Sequence, residues 1–280
     1  MKVELHSHTH YSTGEKIHVE GLNSPEEMVR HAKEIGLDAI AITDHDEFKG
    51  AIEAEKIGKR IGILVIKGEE ITTSENKHVI GLGLNEKIKR NLSIEEAIES
   101  IKAQGGISIA PHPFDLANMG IREKCTKCDA MEVFNSINLD RFSNANAKNF
   151  AEKHEINKVA GSDAHCIEML GYGSTEIDAE KNEDAVIKAI KNGRTLPLGR
   201  YVPINVVQYW ALSRVNNSYY DVSNYILENY NNPKKWVADR LLNLTTKSPG
   251  SIDYVFQGLT YFSFGAAMCY SAVKNARALI

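Results

Sequence analysis

The chain has 280 residues, of which 42% are hydrophobic and 25% charged; these ordinary proportions exclude disorder and a fibrous repeat, and the length allows one large barrel or a smaller barrel with an appended subdomain. A net charge of −4 excludes a general basic field for gripping long nucleic acid, which leaves short pieces as the nucleic-acid substrates compatible with the composition. Four cysteines are too few for a disulfide framework, and the start Met-Lys-Val-Glu-Leu-His has no apolar run behind its positive charge, so the expectation is a cytoplasmic protein without a signal peptide.

Over roughly the first 200 residues, short β-rich runs alternate with amphipathic segments, the pattern of parallel strands joined by crossover helices, in a barrel or an open α/β sheet. Candidate strands, in chain order, are Val3 to His6, Asp38 to Thr43, Ile63 to Gly68, Val79 to Leu84, Ile107 to Ala110, Ala130 to Phe134 and Lys158 to Gly161. Helix starts are signalled by Ser24-Pro25-Glu26-Glu27 and Ser93-Ile94-Glu95-Glu96, each with a capping serine three residues before a glutamate. After Pro203 the chain turns rich in tyrosine and asparagine and loses strand signals, so a helical extension is expected over residues 204–280. Within it Val255 to Val273 is apolar but interrupted by Gln257, Thr260, Ser263 and Ser271, which reads as a packed helix and not a membrane span. Ile252, Val255, Phe256, Leu259, Phe262 and Ala266 recur at helical spacing and predict a contact with the barrel or with a second copy in a homo-oligomer.

Most of the unusual histidines and acids fall where candidate strands end, the position at which barrel enzymes gather reacting groups. His6 and His8 close the first strand as H-x-H; residues two apart in an extended chain point the same way, so both imidazoles can face one ion. The second strand runs from Ala-Ile-Ala-Ile into Thr43-Asp44-His45. Ionisable groups there need a partner, which a metal supplies, with helix capping as the alternative for Asp44. The third ends Gly68-Glu69-Glu70, where Glu70 is placed to bridge two ions and Glu69 points to the other side. His78 opens the fourth strand and carries no signal by itself. Pro111 and Pro113 stiffen the backbone around His112. Gly161-Ser162-Asp163-Ala164-His165 supplies a second strand-end pair with period-2 spacing. Imidazole nitrogen mixed with carboxylate oxygen suits zinc, manganese or iron, and so many donors exceed one tetrahedral site, implying two or three divalent ions. His18, His31 and His154 lie in loop or helical segments and carry no such signal.

Taken in order, His6-x-His8, Thr43-Asp44-His45, Gly68-x-Glu70, His78 before a strand, His112-Pro113 and Gly161-Ser162-Asp163-x-His165 resemble the polymerase and histidinol phosphatase (PHP) superfamily over roughly residues 1 to 200. The resemblance implies a distorted, TIM-like β/α barrel of seven strands, placed at residues 1–203. It also implies metal-dependent phosphoesterase chemistry, with ligand roles for His6, His8, His45, Glu70, His78, His112, Asp163 and His165. Where many members read Ser-Asp-Gly, this chain reads Ser12-Thr13-Gly14, so either Glu15 or His10 substitutes as ligand or one ion is weakly held. Asp44 and Glu132 are read as orienting ligands from behind.

The expected chemistry is attack on phosphorus by a water made acidic between two ions, in a nucleotide, a short oligonucleotide or a small phosphorylated metabolite. His10 and Tyr11 are candidate proton donors to the leaving group, and Arg200, ahead of Arg122 and Arg141, is the candidate grip on a second anionic group. Cys125 and Cys128 form a lone C-x-x-C with no further ligands nearby and read as a plain loop. An amidohydrolase, whose barrels also begin with H-x-H, and a non-catalytic metal-stabilised module are the competing readings.

Overall fold

The strands form where apolar residues alternate or run together. In β2 (Ala39–Ile42), Ile40 and Ile42 pack outward among helices while Ala39 and Ala41 join an inner cluster with Val3, Leu5, Ile66, Ile80, Leu82, Ile107, Ile109 and Val159. In α1 (Pro25–Glu34) and α3 (Ile94–Ala103) both capping boxes are formed, Ser24 with Glu27 and Ser93 with Glu96. Helix α1 buries Met28, Val29 and Ala32, one apolar stripe laid against the sheet beside α2 (Lys49–Ile61). The computed structural model describes residues 1–14, 17–138 and 140–277.

The sheet runs in the order β7-β6-β5-β4-β3-β2-β1-β8-β9, with β1 (Lys2–Glu4), β3 (Leu64–Thr72), β4 (His78–Leu82), β5 (Ile107–Ala110), β6 (Ala130–Asn135), β7 (Lys158–Gly161), β8 (Gly173–Ile177) and β9 (Thr195–Gly199). Strands β1, β2 and β3 are parallel, β4 is antiparallel to both its neighbours, and β5, β6 and β7 are parallel again. The sheet curls until β7 meets β8 and β9. There the Thr175 hydroxyl lies 2.9 Å from both the N–H and the carbonyl of Ala160, and Thr195 donates to the carbonyl of Lys158. Helix α5 (Glu183–Lys191) adds Val186, Ala189 and Ile190 to the inner cluster, and α4 (Phe142–Lys153) lies between β6 and β7 in the chain.

The result is a distorted, nearly closed α/β barrel with nine strands among the described residues and not the seven expected. Each expected strand has a counterpart among β1 to β7; the additional two, β8 and β9, read Gly-Ser-Thr-Glu-Ile and Thr-Leu-Pro-Leu-Gly. β8 shows no apolar alternation, and in β9 Pro197 stands between Leu196 and Leu198 and argues against a strand locally. They exist because β8 pairs antiparallel with β1 and carries β9 with it.

After Gly199 the described residues form only helices: α6 (Ile204–Asn217), α7 (Tyr219–Asn229), α8 (Lys234–Thr245) and α9 (Asp253–Arg277). No described helix is long and apolar enough to cross a membrane. Of the stripe expected on α9, Phe256 is buried. Val255, Leu259 and Phe262 are exposed, Phe262 at 76%, whereas Thr260, Ser263, Phe264 and Ala267 line a cavity and Ser271 is buried. Hydrophobic spacing fixes the period of a helix but not which stripe meets its neighbour, and here smaller and more polar side chains permit the approach.

Candidate metal centre

The parallel strands end at one rim, and antiparallel β4 begins there, so His78 at its start meets residues from the other strands' ends. An isolated bridge joins His45 to Glu70 and another joins Ser7 to Ala164, tying β2 to β3 and the first loop to the segment after β7. His6 Nε2 lies 3.1 Å from Glu70 Oε2 and 3.3 Å from Asp163 Oδ1. His8 Nε2 lies 3.3 Å and 3.2 Å from the same two atoms. The other Glu70 oxygen is 2.9 Å from His78 Nδ1 and 3.1 Å from His112 Nε2. His45 Nδ1 approaches Glu70 Oε2 at 3.3 Å, and the ring of His165 stacks on that of His8 at 4.3 Å. All eight side chains meet at this rim, in four overlapping triads: His8-His45-His165, His6-His8-Glu70, His6-His112-Asp163 and His45-Glu70-His78. In each, the donor atoms lie within 4.8 Å of one another.

The residues behind the cluster set the tautomers. Glu132 Oε1 is 2.9 Å from His6 Nδ1; a carboxylate only accepts, so Nδ1 carries a proton and Nε2 is the nitrogen turned to the cluster. Ser12 Oγ donates to Asp44 at 3.0 Å and accepts the backbone N–H of His45, which leaves it accepting from His8 Nδ1 at 2.9 Å. The carbonyl of Asp163 does the same for His165 Nδ1 at 2.8 Å. Two consequences follow. His6 Nε2 and His8 Nε2 face each other at 3.1 Å beside Glu70 and Asp163, where one cation would meet both nitrogens and both carboxylates. His78 Nδ1 is buried with no hydrogen-bond partner although Glu70 is 2.9 Å away. Nitrogen and carboxylate groups aimed at common points, with a buried His78 nitrogen left unpaired among them, fit bound ions.

Similarity to known proteins agrees with this geometry. Residues 141–195 match a family model described as PHP-associated. An uncharacterized protein of Methanocaldococcus jannaschii is 41% identical over 155 residues, covering 53% of this chain and 90% of the relative. This chain is a PHP-superfamily protein. A 5'-3' exoribonuclease of Haemophilus influenzae is 29% identical over 111 residues, 39% of the PHP chain and 38% of that enzyme. Among solved structures, PsfC of Pseudomonas syringae aligns with a TM-score of 0.56 at 18% identity, over 77% of the PHP chain and 98% of PsfC. An amidohydrolase of Chromobacterium violaceum aligns at 0.51 and 18% identity, over 69% and 97%; both show a shared fold.

Charge is distributed unevenly through the PHP cluster. Burial lowers the histidines, but facing carboxylates outweigh it for three of them: Asp163, Glu132 and Glu70 raise His6 well above its ordinary value, and His8 and His112 rise to about 9. Burial prevails at His45, which falls well below its ordinary value, and with His8 beside it His165 drops to about 3. Against their own burial, Glu70 and Asp163 are held well below the carboxylate range by the imidazoles. His112 and Asp163 also adopt left-handed backbone angles, φ 29° and 53°, which non-glycine residues hold only where surrounding contacts impose them. The His112 N–H, for instance, donates to Glu132 at 2.8 Å. Gly161 is required beneath them, since a Cβ there would come within 2.4 Å of Glu132 Oε1 and 2.6 Å of the His6 Cβ.

The remaining sequence candidates lie farther out. His10 and Tyr11 line a polar cavity of about 1050 Å³ shared with His45, His78, Lys87 and Arg90, but the Tyr11 hydroxyl donates to Glu53, which raises its pKa. The guanidinium of Arg200 lies 4.3 Å over the Tyr172 ring, that of Arg122 over Phe114 and that of Arg141 over Tyr201. Glu15 lies outside the described residues. Cys125 sits in a 3₁₀ turn (Arg122–Lys127) with Cys128 just after it; both are buried in the core, where burial pushes each thiol up to about 12.

Three contributors were not among the sequence candidates. Glu4 accepts from the N–H groups of Leu5, His6 and Ser162 and from the Ser162 hydroxyl, pinning the Asp163 loop to β1; burial raises its carboxyl to about 7 against those bonds. The spacing Glu4-x-His6-x-His8 is its available signal. Trp210 of α6 packs 4.9 Å from the His165 ring, and Glu20 stands 3.4 Å from His45; no local pattern marks either.

Proposed function

We propose that this chain is a metal-dependent hydrolase of phosphate esters, working with two or three divalent ions of zinc, manganese or iron. The observation that carries this reading is the pair of histidine nitrogens, His6 Nε2 and His8 Nε2, held 3.1 Å apart beside Glu70 and Asp163. His6, His8, His45, Glu70, His78, His112, Asp163 and His165 are the residues we assign as ligands, with Asp44 and Glu132 orienting them from behind. Bound ions supply Lewis-acid polarisation of the phosphoryl group and a water acidic enough to react near neutral pH.

The protein's own part is to hold donors without rearrangement and to shape the approach. Two cavities meet at His45 and His78. One, of about 530 Å³, has apolar walls from Leu116, Met119, Ile137, Val207, Trp210 and Phe264 and suits a base or other apolar group. The polar one presents Lys87 and Arg90 and suits further phosphates or ribose. The exoribonuclease relative supports a nucleotide or short oligonucleotide over a sugar phosphate. The mildly acidic net charge favours short substrates over long ones.

The test is a panel of a phosphate monoester, a phosphate diester and an amide, each with chelator and with Mn²⁺ or Zn²⁺ restored. Chelator-sensitive phosphoester cleavage with no amide cleavage is the expected result. Amide cleavage alone supports the amidohydrolase reading. Bound metal with no turnover across all three substrates supports a non-catalytic module.

A further inference from the structure

Glu20 lies outside the four donor triads, on the loop before α1, yet its Oε2 stands 3.4 Å from Nε2 of His45. That is longer than a charge-assisted hydrogen bond of about 2.7–2.9 Å, and close to the longer of the 2.9–3.3 Å donor spacings around Glu70. The other nitrogen of the same ring, Nδ1, is 3.3 Å from Glu70. A neutral imidazole has one proton for two carboxylates, so one of these approaches sets a lone pair against an anion, and a cation between them resolves the conflict.

The chain holds Glu20 there from two sides. Thr13 bridges Val19, and the Glu20 N–H donates to the Ser12 carbonyl at 3.3 Å, which folds Glu20 back across from the Ser12-Thr13 turn that offers no carboxylate. Gly14 permits the fold, since a Cβ there would come within 2.7 Å of Glu20 Oε1. From α6, Arg214 donates to Glu20 Oε1 at 2.8 Å and the Trp210 indole N–H donates to the Glu20 carbonyl at 2.8 Å. One carboxylate oxygen is thus fixed by Arg214 while the other is left facing His45.

We propose that Glu20 is a further metal ligand, supplying beside His45 the carboxylate that Thr13 does not, and that Arg214 is a positioning residue for it. Helix α6 of the C-terminal extension is then part of the metal centre. This rests on the metal-dependent reading above.

The test uses the full-length protein stripped with chelator and titrated with Mn²⁺ by calorimetry, with bound metal counted after desalting, for wild type, Glu20→Gln, Glu20→Ala, Arg214→Ala and Arg214→Lys. Both Glu20 variants are expected to lose one ion equivalent, or to weaken one class of site by about tenfold or more, while the other classes stay within about twofold. Arg214→Ala is expected to weaken that same class and Arg214→Lys to restore part of it, with metal-free melting temperatures unchanged. Unaltered stoichiometry and affinity in both Glu20 variants overturns the proposal, as does equal weakening of every class together with a lowered metal-free melting temperature. A wild-type protein that takes up neither Mn²⁺ nor Zn²⁺ defeats the metal-dependent reading itself.

Discussion

Glu69 and Glu70 are neighbours on β3, both fully buried, and they point to opposite faces of the strand. Around Glu70 stand His6, His8, His45, His78 and His112, each with a ring nitrogen within 3.3 Å of a carboxylate oxygen. Against the effect of burial, these imidazoles hold its carboxyl well below the usual range. Glu69 has one partner, the Ile88 N–H at 2.8 Å, and its other oxygen has none. Burial pushes its carboxyl up to about 8, with Asp46 and Glu47 adding to the rise and Ile88 and Lys87 opposing it. Burial alone therefore favours a protonated carboxyl, while burial among nitrogen donors favours an anion poised for cations.

The sharpest way to break this comparison is Glu70→Gln. The substitution keeps shape and removes the charge that touches histidines of all four donor triads. Metal affinity measured by calorimetry is expected to fall by more than about 100-fold, beyond the roughly 10–100-fold typical of groups that merely orient ligands, and turnover falls with it. Retention of full metal content shows that Glu70 is only a structural anion.

Glu132→Gln tests the layer behind. Its carboxylate contacts His6 Nδ1, the His112 N–H and the Asn135 amide at 2.9, 2.8 and 3.0 Å. The amide can still accept one bond but no longer enforces the Nδ1–H tautomer of His6. A loss of about 10–100-fold in metal affinity is expected, with smaller change in thermal stability. An effect as large as that of Glu70→Gln makes Glu132 a ligand and not an orienting group.

These contrasts mark how far the sequence could be read. H-x-H at His6 and His8, the acid after Gly68 and the pair in Asp163-x-His165 carry their geometry locally, because strand period and strand ends determine where those side chains go. His78 enters the set only by resemblance: its reason for standing at the rim is that β4 runs antiparallel, which is a tertiary fact. Glu20 is still less legible, since Arg214, which holds it, is 194 residues away. Strand β8 lacks alternation of its own, β9 hides two alternating leucines around Pro197, and α9 presents a face chosen by its neighbours, so all three escape local patterning.

Glu69→Gln has the smallest expected effect and bears most directly on the comparison. The carboxyl is raised from 4.5 to about 8 in the fold, so below pH 4.5 it is protonated in both folded and unfolded chains and carries no penalty. As pH climbs from 4.5 to 8 the unfolded chain ionises first, and the stability tied to the protonated form is progressively lost; above about 8 the loss is complete. Glutamine cannot ionise, so the variant escapes that loss. Its melting temperature relative to wild type, both stripped of metal, should therefore rise steadily between pH 5 and pH 8.5, by several degrees. A pH-independent difference, or a gain that shrinks as pH rises, shows that Glu69 is ionised in the folded protein and that its single Ile88 bond, with Lys87 nearby, suffices to keep it so.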